Sequence, residues 1–149
     1  MEINQFYING NFVDPIGQEK IDLINPATEE KVGYVVTGLE QDVDAAVSAA
    51  KSAFNEASLL TLEQKKVILQ EIIDGMQARK EEFAQVISEE MGAPIKLARS
   101  AQFGSGLVHF INTLKVIDNF SFSEVHDNIT INKLPIGPVG MITPWNWPL

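Results

Sequence analysis

Pro144-Trp145-Asn146-Trp147-Pro148 is the densest chemical constellation in the sequence, with two prolines bracketing an asparagine that sits between the chain's two tryptophans. Proline fixes φ and carries no amide donor, so such a loop is stiff and can hold an amide side chain in one direction. An asparagine held this way suits a developing oxyanion, because it donates N–H hydrogen bonds without changing its own charge. The apolar run Val139-Gly140-Met141-Ile142-Thr143 leads directly into it. Runs of this kind fill the centres of parallel sheets, and α/β folds bind ligands at the carboxyl ends of such strands. The competing reading of the same residues is an aromatic plug that completes a core.

Other chemistry is scarce in the remaining residues. There is no cysteine, which excludes disulfides, thiolate metal ligands and a cysteine nucleophile. The two histidines, His109 and His126, do not have the usual spacings of metal ligands or a catalytic triad, so no metal site is expected. A packed His109 and a solvated His126 is the plainer reading. Lys and Arg number 11 against 20 Asp and Glu, for a formal charge of −9. Phosphate backbones are bound by basic stripes, so nucleic acid is not an expected partner, and the acidity reads as solubility. No apolar run reaches the roughly 18 residues of a membrane span, and Met1-Glu2-Ile3-Asn4-Gln5 lacks the pattern of a secretory signal. The expectation is a cytoplasmic protein without a membrane partner.

The elements that would position the Asn146 loop follow from changes of period. Phe6-Tyr7-Ile8 and Phe12-Val13 flank Asn9-Gly10, the pair best suited to a tight type I′ hairpin. Ile21 and Leu23, then Val32, Tyr34 and Val36, alternate with other residues on either side of the Asn25-Pro26 break and read as half-buried strands. From Glu40 the period becomes helical, with Val43, Ala46, Val47, Ala50 and Phe54 on one face. Glu40, Asp42 and Asp44 stand in the first turn, where the helix dipole favours negative charge.

Thr61 and Gln64 have the spacing of a capping box, and Leu69, Ile72, Ile73 and Met76 form the stripe of the helix that follows. The charged run Arg79-Lys80-Glu81-Glu82 interrupts it, so either one long helix or two with a kink near residue 79 leads to the stop at Gly92 and Pro94. A third helix is expected over 95–119, apolar on nearly all sides and therefore buried. Gly104 and Gly106 in its middle suggest close approach of another backbone or of a ligand, with simple helix packing as the alternative. They do not form a dinucleotide fingerprint, which belongs between a strand and a helix. Ile129, Ile131 and Leu134 mark a further strand over 127–134. A parallel strand at 139–143 needs a crossover before its partner, so the sequence reads as incomplete after residue 149.

Thr143-Pro144-Trp145-Asn146-Trp147-Pro148 resembles the strand-end motif of the NAD(P)-dependent aldehyde dehydrogenase superfamily. Tyr7-Ile8-Asn9-Gly10-Asn11-Phe12-Val13, Ile24-Asn25-Pro26-Ala27-Thr28 with Val32-Gly33, and Asp42-Val43-Asp44-Ala45-Ala46-Val47 resemble the family's opening in the same order. Pro138-Val139-Gly140 resembles its lead into the dinucleotide fold, so the likeness covers essentially the whole chain. It implies that Asn146 stabilises the oxyanion formed as a cysteine attacks an aldehyde. It further implies that Ile142, Thr143, Pro144 and Trp145 line the NAD or NADP pocket. Trp147, where the family more often has Phe, would face the aldehyde channel and narrow it. Some members bind a monovalent cation near the turn corresponding to Ile24 with help from an acid on the buried helix. Gln102 stands in that place here, and no such site is expected.

The resemblance implies an α/β fold: the amino-terminal part of the aldehyde dehydrogenase fold, with strands and long helices leading into the first strand of a parallel dinucleotide-binding sheet. On that reading residues 1–120 are the hairpin and helical part of the cofactor-binding domain. Residues 121–136 begin an oligomerisation ribbon, and 137–149 hold the first sheet strand and the Pro-Trp-Asn motif. The family's nucleophilic Cys, general-base Glu, ribose-contacting Lys-Pro-Ser and glycine-rich turn have no counterpart in the sequence. The expectation is therefore a chain inactive alone, belonging to a homo-oligomeric oxidoreductase that acts on a small-molecule aldehyde. The alternative is a non-catalytic module that self-assembles or binds a full-length homologue through open strand edges.

Overall fold

A computed structural model describes residues 2–149. β2 (Phe6–Ile8) and β3 (Asn11–Val13) pair antiparallel with Ile8 opposite Asn11. Asn9 and Gly10 between them take φ values of 51° and 78°, the positive pair that a type I′ turn needs. β4 (Lys20–Ile24) and β5 (Lys31–Val36) are antiparallel neighbours. The turn that joins them is held by Asn25, whose Oδ1 accepts from the Ala27 amide at 2.9 Å. β1 (Glu2–Ile3) lies parallel to β5 with Glu2 opposite Tyr34, giving the order β1-β5-β4. Two residues carry no readable period, so β1 is absent from the sequence reading.

α1 (Glu40–Ala57) begins where the helical period starts. Its apolar stripe is less covered than amphipathicity predicts, since Val43 is 60% and Val47 41% exposed. The buried residue of this helix is Asp42. Its carboxylate accepts from the backbone amides of Leu39 at 2.8 Å, Ile16 at 3.0 Å and Gly17 at 3.4 Å. It thereby caps the helix and fastens the loop between β3 and β4 to the helix end. The Ile16 amide, followed by that of Leu39, holds the carboxyl below its usual pKa against an opposing effect of desolvation.

α2 (Leu62–Ala78) opens on the capping box: Thr61 Oγ1 accepts from the Gln64 amide at 3.2 Å, and Gln64 Oε1 accepts from the Thr61 amide at 2.9 Å. The helical run breaks at Arg79, and α3 (Lys80–Met91) follows, so the form with two helices and a kink is the one observed. Gly92 ends α3 with φ 72°, and a Cβ there would stand 2.7 Å from Pro26 Cγ. Both the left-handed backbone and the close Asn25-Pro26 turn therefore call for glycine.

The third helical run consists of α4 (Ile95–Leu97), a π-helical turn (Ala98–Gln102) and α5 (Phe103–Ile117). Ala84, Ile87, Ala93 and Ala98 make a buried cluster between α3 and this run. Nearby, the Arg99 guanidinium grips the Glu81 carboxylate at 2.8 and 2.5 Å. The expected all-round burial is not found: of α5, Phe103 and Gly106 are buried, whereas Val108 is 43% and Val116 60% exposed. His109 is exposed rather than packed. α2 covers one side of α5, and the remaining stripe has no equivalent neighbour among the described residues.

The strand expected over 127–134 is observed as β7 (Ile129–Asn132), which pairs antiparallel with β6 (Ser123–His126) in a hairpin that turns at Asp127 with φ 52°. β6 escapes a periodicity reading because Val125 is its single apolar residue. Residues 139–143, whose apolar run predicts a buried parallel strand, join no sheet among the described residues. A strand's amides and carbonyls need neighbouring strands on a ladder, and here none stands beside the segment. No helix among the described residues is long and apolar enough to cross a membrane.

Candidate functional site

The Asn146 loop meets the third helical run at two points. Gln102, at the end of the π-helical turn, is 5% exposed, and its Nε2 donates to the Asn146 main-chain oxygen at 3.2 Å. Gln102 Oε1 is buried without a hydrogen-bond partner. Four residues on, Gly106 is buried, and a Cβ there would stand 2.5 Å from Leu149 Cβ and 3.1 Å from its carbonyl carbon. The close approach suggested by the two glycines is thus found at Gly106. At Gly104 an added Cβ would meet nothing within 4 Å.

Asn146 itself is exposed, and its side-chain amide donates to no group among the described residues. The main chain is held while the amide stays available. Trp145 is 82% and Trp147 44% exposed, so neither ring completes a core here and the plug reading is not supported by the packing. Gln102 entered the sequence reading only as the occupant of a cation-site position. The signal that could have found its contact is a polar side chain set among Ala98, Ala101 and Phe103, next to a glycine pair.

Thr143 and Pro144 are exposed, and Ile142 is fully so at 101%. With Trp145 they make one exposed stretch of chain. A dinucleotide resting only on this stretch would keep its other side in water, so these residues do not by themselves make a cofactor site. Gly104-Ser105-Gly106 lies at the start of α5, within the helix, and offers no turn of free amides to a phosphate. Among the described residues no three His, Asp or Glu side chains gather closely enough to hold a metal ion.

Comparisons with known proteins give these features a context. The chain is 38% identical over 149 residues to 3-succinoylsemialdehyde-pyridine dehydrogenase of a Pseudomonas species, covering 99% of this chain and 31% of the relative. It therefore spans about a third of the length of the curated relatives it matches. Among solved structures, a mutant aldehyde dehydrogenase C from Pseudomonas syringae, complexed with NAD+ and octanal, superposes with a TM-score of 0.84. That match has 36% identity and covers 87% of this chain and 27% of the other. Aldehyde dehydrogenase 21 from Physcomitrella patens, in complex with the reaction product succinate, gives a TM-score of 0.84 at 27% identity, covering 99% and 32%. The partial fold seen here is thus the corresponding part of that larger architecture. With the aldehyde dehydrogenase family profile matching residues 12–149, the chain belongs to the aldehyde dehydrogenase family.

Proposed function

We propose that this chain supplies the oxyanion-binding loop of an enzyme that oxidises a small-molecule aldehyde to a carboxylic acid with NAD or NADP. The carrying observation is the state of Asn146: its carbonyl is tied to buried Gln102 while its side-chain amide is exposed and unpartnered. When a nucleophile adds to an aldehyde carbon, the carbonyl oxygen becomes an alkoxide. An amide N–H already in place stabilises that charge without reorganising. The nucleophile does not come from these residues, because the sequence contains no cysteine, and a covalent thiohemiacetal requires a thiolate. Ile142, Thr143, Pro144 and Trp145 contribute one wall to the cofactor pocket of the complete enzyme, and Trp147 narrows the aldehyde channel. Cytoplasmic location and homo-oligomeric assembly belong to the same reading.

Two assays test it. The purified 149-residue chain, mixed with aldehydes and NAD+ or NADP+, is expected to produce no reduced nicotinamide. In a complete enzyme carrying these residues as its amino-terminal part, Asn146→Ala is expected to lower kcat by about 10²–10³-fold, as for loss of one oxyanion donor. Turnover by the purified chain, or an unchanged kcat in the variant, overturns the reading.

A second reading, a non-catalytic association module, is favoured by one observation: the β6–β7 ribbon exposes Val125 at 72% and Ile129 at 65%. The ribbon's outer edges also pair with no other strand among the described residues, and open edges with exposed apolar side chains invite pairing with another chain.

A further inference from the structure

We propose that Gln102 is the positioning residue of the Asn146 loop, its buried carboxamide donor fixing the Asn146 carbonyl and so the place from which the Asn146 amide reaches out. The inference deepens the oxyanion reading of Asn146 and rests on it for its catalytic meaning, although the anchor itself can be measured separately.

Gln102 is an unusual residue to bury at 5% exposure. Its neighbours on the run include buried Ala98 and Phe103, and an apolar side chain of equal length would avoid leaving an amide oxygen without a partner, which is unfavourable. Whatever Gln102 contributes must therefore come from its donor half, and that half has one observed partner, the Asn146 carbonyl at 3.2 Å.

The local backbone is special as well. Gln102 closes a five-residue π-helical turn, an irregularity that helices frequently carry at functional positions. Gly106 lies one turn further along and receives Leu149 so closely that a methyl group would collide with it. Residues 146 and 149 are thus fastened to one stretch of helix, while Pro144 and Pro148 restrict the backbone around them. Gln102 touches a carbonyl and no reacting atom, so its role is to place Asn146.

The test uses Trp147, 44% exposed and adjacent to Asn146, as the sole tryptophan in a Trp145→Phe background, excited at the red edge where the two tyrosines do not absorb. Gln102→Met removes the donor at nearly constant length. Acrylamide quenching of Trp147 is expected to rise by up to about twofold as its exposure goes from 44% toward complete. Gln102→Glu supplies the discriminating signature. Its carboxylate repels the Asn146 carbonyl, whereas the protonated acid donates an O–H to it. Burial raises a carboxyl pKa above the ordinary value of about 4.3. Quenching in this variant is therefore high at about pH 8 and returns to the parental level toward about pH 5. Gln102→Met shows no such return.

Parental quenching in a folded Gln102→Met chain, or a Gln102→Glu chain that remains at either level across the range, overturns the proposal. A purely structural role would lower stability without a reversible change at Trp147. If Gln102→Met does not fold, Gln102→Glu on its acidic side decides the matter. Asn146→Ala separates this proposal from the oxyanion reading. The anchor uses the main-chain oxygen, so quenching stays parental in that variant, whether or not turnover of the complete enzyme falls.

Discussion

Asp42 serves two stretches of backbone at once, accepting from Leu39 at the start of α1 and from Ile16 and Gly17 in the loop between β3 and β4. Amide donors favour its charged form, and its pKa is lowered in the folded chain, chiefly by the Ile16 amide. The unfolded chain therefore takes up this proton first as pH falls. The carboxylate's stabilising contribution is complete above the unfolded value of about 3.9 and is lost as pH falls through the lower folded value. Asp42→Asn is accordingly expected to lower the urea midpoint at neutral pH, with the gap from the parent closing below about pH 4. A gap of constant size from neutral to acid would mean that shape rather than charge matters at this position. The sequence placed Asp42 in the first turn of a helix, where the dipole alone would explain it. Its second task was hidden because Ile16 and Gly17 become its neighbours only when the loop folds back.

Among the elements, those with local signals were the most legible. Thr61 and Gln64 stand three residues apart, and both hydrogen bonds of the capping box are made within that distance. Thr61→Ala is expected to cost about 1 kcal/mol, measured by urea unfolding, with faster amide exchange confined to the first turn of α2. Asn9-Gly10 was readable for the same reason, since the positive φ angles belong to the two residues themselves. The segment 139–143 shows the opposite case. Val139, Met141 and Ile142 are fit for a sheet, but a strand exists only beside another strand, and Met141 is 83% exposed here. The Gln102 to Asn146 bond spans 44 positions, beyond any pattern of period 2 or 3.6. What sequence did convey about this contact was the oddity of two glycines near it, of which one proved to be a seat.

At the scale of the whole molecule, apolar surface is unevenly distributed. The α3 side has a closed cluster, whereas Val43 and Val116, together with the ribbon residues Val125 and Ile131, remain exposed. Exposed apolar surface on this scale favours association. Sedimentation equilibrium is expected to give an apparent mass above 16.5 kDa that rises with concentration, accompanied by binding of an apolar dye. Ile131→Lys should shift the mass back toward the monomer, because a charge on the strand opposes pairing at its edge. A concentration-independent monomer that binds no dye would remove the association reading.

The separation between Gln102 and Asn146 also has a meaning in time. The 44 positions between them take about 2–9 s to synthesise at 5–20 residues per second, whereas a helix forms within about a microsecond. When Asn146 is added to the growing chain, Gln102 and Gly106 have been in existence for several seconds. The order of translation thus makes the residues of the receiving surface before the segment they receive.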